Sequence, residues 1–218
     1  MPIKITTQRL YLCTPDRPDL AGFIAACVRG GVDIVQLREK HLDDEALVRR
    51  ARLARQVCSD LGALFILNDR PDLAVDAGAD GAHIGQDDVA PVTSRKLIGP
   101  QRLLGLSTHR PCELASSSGE PIDYVSVGPV VETPTKPGRP GTGSSYVTLA
   151  ARDSRRPFFV TGGVRPESVP SLTRSGARRF VVVRYLTEAS DPFANARALR
   201  AAIDEAIARA TEEDAQRQ

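Results

Sequence analysis

Eight short apolar runs separated by helical patterns, no G-x-G-x-x-G after the first run, and polar residues at the same end of six runs predict an α/β fold, a closed (β/α)8 TIM barrel. The runs are Leu10 to Cys13, Asp33 to Leu37, Leu64 to Leu67, Gly81 to Ile84, Leu103 to Leu106, Tyr124 to Val127, Phe158 to Thr161 and Phe180 to Val183. Strands joined by single helices form βαβ units, which demand parallel pairing. The structural alternative is an open doubly wound sheet. Against it, Leu-Tyr-Leu-Cys-Thr-Pro-Asp-Arg-Pro stands where the phosphate-binding glycines of that fold belong.

The helical segments lie where a barrel needs them. Asp43 to Leu61 sets Leu47, Ala51, Ala54 and Val57 on one face, and Pro192 to Ala210 is rich in Ala and Arg. Helix entries are marked by Asp43-Asp44 before Glu45, by Arg165-Pro166-Glu167 and by Asp191-Pro192. The chain is read as one domain of residues 1–218, with the barrel spanning about 10–210 and a polar tail, 211–218, expected to fray.

Composition narrows the function classes. Lys and Arg number 29 against 27 Asp and Glu, a formal charge of +2, so no overall field argues for nucleic acid or an anionic membrane. Any anion site must be local. Cys13, Cys27, Cys58 and Cys112 form no C-x-x-C pair, which argues against a zinc cluster and a disulfide framework and for small core or helix residues. No apolar run approaches the ~18 residues of a membrane span. These features predict a reduced, cytoplasmic protein.

Barrel enzymes build their sites at the C-terminal ends of the strands. Here those ends carry Gln36, Arg38, Glu39 and Lys40, then Asn68-Asp69-Arg70, Gly85-Gln86-Asp87-Asp88, Ser107-Thr108-His109, a long loop, and Gly162-Gly163. In an extended segment, alternation turns Gln36, Arg38 and Lys40 to one side, suiting a diphosphate and a polar ring. Asp69 and the Asp87-Asp88 pair follow neighbouring strands, where carboxylates can share Mg²⁺ completed by substrate phosphates. The alternative role for Asp87 and Asp88 is capping the next helix. His83 lies within a strand as a satisfied core residue, His41 just beyond the cationic strip, and His109 is the histidine best placed for chemistry. No G-x-S-x-G supports a nucleophilic serine.

The loop after the sixth strand is the most informative stretch. From Pro129 to Gly143 it holds four prolines, three glycines and three threonines, with Lys136 and Arg139. Proline fixes φ and removes donors, while glycine lets the backbone approach a ligand, so this composition predicts an anion-binding loop. Residues 129–141 are expected to close over a diphosphate and exclude water. Gly162-Gly163 and Val183-Arg184 stand where barrels commonly bind a phosphate.

Gln36 to Lys40, Asn68-Asp69-Arg70 with Gly81 to Asp88, Gly105 to His109, Gly128 to Gly143 and Gly162-Gly163-Val164 occur in the order of the thiamine-phosphate synthase family, which the chain resembles from about Leu10 to Asp191. The resemblance implies a (β/α)8 transferase joining a pyrimidine methyl diphosphate to a thiazole phosphate. It implies that Gln36, Arg38, Lys40, Asn68, Ser107 and Lys136 hold the pyrimidine diphosphate, with Arg38, Lys40, Lys136 and Ser107 serving catalysis and Asp69 and Asp88 on Mg²⁺. The thiazole phosphate would lie against Thr133, Thr135, Gly162, Gly163, Val183 and Arg184. Arg184-Tyr185 departs from the family's usual serine and small residue. A homo-oligomer, expected to be a dimer, is also implied. The rival readings are a thiazole tautomerase using His109 and a non-catalytic thiamine-intermediate binding protein.

Overall fold

Side chains alternate across a strand, so every barrel strand has one face toward the helices and one toward the axis. The computed structural model describes residues 5–132 and 140–216. Its strands are β1 (Leu10–Thr14), β2 (Ile34–Leu37), β3 (Leu64–Asn68), β4 (Gly81–Ile84), β5 (Leu103–Thr108), β6 (Tyr124–Val127), β7 (Phe158–Val160) and β8 (Phe180–Val182). They pair in sequence order, all parallel, and β8 returns to β1 to close the barrel. Asn68, Ser107 and Thr108, read as lying beyond strand ends, are the last residues of their strands.

The outward set, including Leu12, Val35, Leu37, Phe65, Leu67, Ile84, Leu104 and Val127, is buried under the helices in one large apolar cluster. The inward set forms two levels. Ile5, Tyr11, Ile34, Ile66, Leu103, Tyr124 and Phe159 make a buried cluster that fills the lower barrel. Above it, Cys13 pairs in register with Gln36, Asn68 with His83 and Ser107 with Ser126, making the upper level polar. Apolar residues below seal the barrel, and polar residues above line a mouth.

The helices are α1 (Leu20–Arg29), α2 (Asp44–Leu61), α3 (Pro71–Ala74), α4 (Pro91–Ile98), α5 (Pro111–Ser117), α6 (Gly143–Asp153), α7 (Val169–Arg174), α8 (Arg184–Thr187) and α9 (Pro192–Gln216). Asp43 caps α2 by accepting the Ala46 N–H at 2.8 Å, and Asp191 accepts the Ala194 N–H at 2.9 Å. The buried face of α2 is Leu47, Ala51, Ala54 and Cys58, with Val57 only partly buried, because Cys58 is the residue one helical turn after Ala54. Two expectations are corrected. Helix α7 begins at Val169 rather than at Arg165-Pro166-Glu167, since Ser168 Oγ accepts the Arg165 N–H and folds that tripeptide into a turn. The segment from Thr211 expected to fray continues α9 to Gln216.

Candidate active site

A cavity of about 520 Å³ opens at the C-terminal end of the barrel. Tyr11, Cys13, Gln36, Asn68, His83, Ser107 and Ser126 line its depth, and Arg38, His109, Arg165 and Arg184 stand among its lining. Gln36, Asn68, His83 and Ser107 are each no more than 7% exposed. Buried polar groups need partners, and Gln36, His83 and Ser107 have them. The Gln36 amide donates to the Tyr11 hydroxyl at 2.8 Å, the Tyr11 and Tyr124 hydroxyls meet at 3.0 Å, and His83 bridges the Tyr124 hydroxyl at 3.2 Å and Ser107 Oγ at 3.0 Å. Burial, joined by the charge of neighbouring acidic groups, raises both tyrosine hydroxyls, so they remain neutral. The floor is polar, and its two tyrosine hydroxyls are neutral.

Charge collects at the rim. Lys40 Nζ lies 3.0 Å from Asp69 Oδ2, and Asp69 occupies the left-handed region at φ 62°, which is uncommon outside glycine and points to a constrained site. Glu39, opposite Arg38 and Lys40, accepts the N–H groups of Asp16, Lys40 and His41 and thereby fixes the segment that carries the two cations. Asp88 does not cap α4: Ala90 holds that position, and Asp88 instead accepts the Gly85 N–H at 2.6 Å.

Asp69 and Asp88 shift each other's titration in opposite directions. Burial raises the Asp69 carboxyl, but the bonds from Asp88 and Lys40 outweigh it and hold it below the usual range. Burial also raises Asp88, and despite the Gly85 N–H the neighbouring Asp69 keeps it raised. Two neighbouring carboxylates, one held below and one above the usual range, present hard oxygen donors that a divalent cation can occupy. Among the described residues no group of three or more His, Cys, Asp or Glu could hold a metal, so ligand or water oxygens must complete any such site.

On the far wall, Gly162 and Gly163 have φ of 97° and 72° and line the cavity beside Val183 and Arg184. A Cβ at Gly162 would sit 2.6 Å from the Val130 nitrogen and 2.7 Å from the Pro129 Cα, so this turn needs glycine for both conformation and clearance. The start of the β6 loop rests directly against it. Thr133, Thr135 and Lys136, the loop residues expected to bind substrate, lie outside the described residues, as does Arg139. His109 lines the cavity and its Nδ1–H donates to the Gly128 carbonyl at 2.5 Å.

Gln36, Arg38, Asn68, Ser107, Gly162, Gly163, Val183 and Arg184 thus share one cavity, while Lys40, Asp69 and Asp88 form the adjoining acidic-basic cluster. Sequence reasoning passed over Tyr11 and Ser126 and gave Cys13 and His83 only structural roles. A signal was present for two of them: Cys13 and Ser126 each stand two residues after an inward tyrosine, Tyr11 and Tyr124. Only barrel closure shows that they converge.

A model of the thiamine monophosphate synthase family matches residues 10–186. Thiamine-phosphate synthase of Nostoc punctiforme is 44% identical over 185 residues, covering 85% of this chain and 53% of the relative. The chain therefore spans about half the length of the Nostoc relatives it matches. The Thermobifida fusca enzyme of the same name is 43% identical over 203 residues, covering 90% of this chain and 93% of that one, and the Mycobacterium bovis enzyme is 42% identical over 214 residues, covering 92% and 96%. Among solved structures, thiamine phosphate pyrophosphorylase from Pyrococcus furiosus superposes with a TM-score of 0.84 at 22% identity, covering 92% of this chain and 97% of that one, a likeness of fold. Family model, relatives and barrel agree: the chain belongs to the thiamine monophosphate synthase family.

Proposed function

We propose that this chain is a thiamine-phosphate synthase, joining a pyrimidine methyl diphosphate to a thiazole phosphate with release of diphosphate. The observation that carries the reading is a cavity with a buried polar floor beside a cluster of cations and carboxylates. Burying a diphosphate on the floor would leave its charge unpaired, which is costly, whereas a neutral heteroaromatic ring suits it. The diphosphate then falls at the rim, within reach of Arg38 and Lys40.

The reaction breaks the bond between the methylene carbon and the diphosphate oxygen, and the electron pair leaves with the diphosphate. Arg38 and Lys40, with Lys136 from the loop, face charge that grows in the transition state, where fixed cations act most strongly. Mg²⁺ held by Asp69 and Asp88 would supply Lewis-acid stabilisation of the same leaving group. Gln36, Asn68 and Ser107 orient the ring, while Gly162, Gly163, Val183 and Arg184, with Thr133 and Thr135, hold the thiazole phosphate so that its nitrogen lone pair faces the carbon. Positioning supplies much of the rate, and the attacking nitrogen needs no base.

A homodimer in the cytoplasm, without nucleic-acid or membrane partners, completes the reading. Near-balanced charge supports the reading without nucleic acid, and among the described residues no helix is long and apolar enough to cross a membrane. The test is incubation of purified protein with both substrates, with Mg²⁺ or with chelator. Thiamine phosphate and diphosphate formed only with the metal are expected; ligand binding without product would instead favour the tautomerase or binding-protein reading.

A further inference from the structure

The floor is organised by the register of three strands. Gly105 of β5 pairs with His83 of β4 on one side and with Tyr124 of β6 on the other. A Cβ on Gly105 would lie 2.4 Å from His83 Nδ1 and 2.2 Å from Tyr124 Cζ. The missing side chain is what lets His83 and Tyr124 meet across β5, the space being taken by their hydrogen bond.

That bond belongs to a chain whose direction can be worked out. Cys13 Sγ donates to Gln36 Oε1 at 3.2 Å, which turns the Gln36 amide nitrogen to the Tyr11 oxygen at 2.8 Å. A phenol donates only once. The Gln36 amide nitrogen cannot accept, so among the described contacts Tyr11 gives its proton to Tyr124, and Tyr124 in turn gives its own to His83 Nδ1. A neutral imidazole accepting at Nδ1 carries its hydrogen on Nε2, so His83 donates to Ser107 Oγ at 3.0 Å. Ser126 Oγ adds a second, longer donor at 3.4 Å. Two donors occupy the Ser107 oxygen, and its own hydrogen is the group it offers the cavity.

We propose that His83 is a positioning residue, held as the neutral Nε2–H tautomer by this relay, and that it fixes the Ser107 hydroxyl as a hydrogen-bond donor toward the heteroaromatic ring of the substrate. The inference deepens the synthase reading and rests on it for the identity of the ring, but not for the tautomer. Of the relay residues Tyr124 does not line the cavity, so the donor set of Ser107 can be changed there without altering a wall residue. The opposite polarity, with Gln36 turned over, would run every donor backwards and leave Ser107 pointing at His83.

The tautomer is read from ¹⁵N–¹H correlation spectra of the full chain labelled at histidine, without ligands, with the His83 signals identified by their loss in His83→Gln. Hydrogen on Nε2 and none on Nδ1 is expected; a ring protonated at Nδ1 overturns the proposal. Tyr124→Phe removes the donor to Nδ1 without touching the substrate. In that variant the calorimetric affinity for pyrimidine methyl diphosphate should fall by about tenfold, the scale of one misplaced hydrogen bond, while inorganic diphosphate with Mg²⁺ binds as in the wild type. Equal losses for both probes would mean a merely structural role, and no loss for either would mean that Ser107 is not set by the relay; both defeat the proposal. Failure of the wild type to make thiamine phosphate would defeat the synthase reading while leaving the tautomer result standing.

Discussion

Asp69 and Asp88 respond to pH in opposite directions, which separates their roles. Asp69 titrates below the usual carboxylate value, so its contribution to stability is present above that value and is lost as pH falls through its lowered one. Asp88 titrates above it, so ionising Asp88 costs stability as pH rises through its raised value. Asp88→Asn should therefore raise the melting temperature of the metal-free protein at neutral pH, by no more than about 2–4 °C for so exposed a pair, and the gain should vanish in acid where Asp88 is already protonated. Calorimetric scans at several pH values read this directly. At Asp69 the informative change is Asn, because φ 62° is better tolerated by Asn than by Ala. Asp69→Asn is expected to lower turnover by roughly 10²-fold, on the scale of a lost metal ligand or its support, with the fold retained; unchanged turnover would remove the metal from the mechanism. The sequence exposed both aspartates, since they follow strands. It left the cap reading of Asp88 open, because only the hydrogen bond from the Gly85 N–H and the place of Ala90 at the cap decide it.

Helix α2 and strand β5 illustrate what single elements contribute. Asp43 caps α2, and Asp43→Ala should cost about 1 kcal/mol in urea denaturation with kcat unchanged, since the cap satisfies backbone donors far from the cavity. Gly105→Ala makes a different prediction. The added methyl meets His83 and Tyr124 side chains at 2.4 and 2.2 Å, so roughly 1–3 kcal/mol of overpacking strain is expected together with weaker binding of the pyrimidine substrate. Loss of stability alone, with affinity intact, would show that the floor repacks without harm to the site. In the sequence, Leu-Leu-Gly-Leu-Ser-Thr reads as an ordinary strand with a flexible residue. Its glycine is there for clearance between neighbours that lie 22 residues before and 19 after it.

For the whole molecule, the lower barrel supports the site above it. Phe159 is fully buried and meets Tyr11 and Tyr124 edge-on, with ring centroids 5.4 and 5.5 Å apart. Phe159→Ala is expected to cost about 3–5 kcal/mol, as a large buried aromatic does, and to weaken substrate binding because both tyrosines of the relay lose their support; a denaturation midpoint close to wild type would show that the plug is not load-sharing. The sequence by itself determined the alternation of strands and helices, the closed barrel, the mouth as the site, and most of the residues around it, because strand period, helix caps and the preference for polar groups at strand ends are local properties of the chain. Tertiary structure decided the rest. Tyr11, Gln36, His83, Ser107 and Tyr124 come from five strands spread over more than a hundred residues, and neither their meeting nor the mutual influence of Asp69 and Asp88 is a local property. Closure of the barrel brings inward positions of non-adjacent segments to one axis, and register, set by backbone pairing across all eight strands, fixes which of them touch.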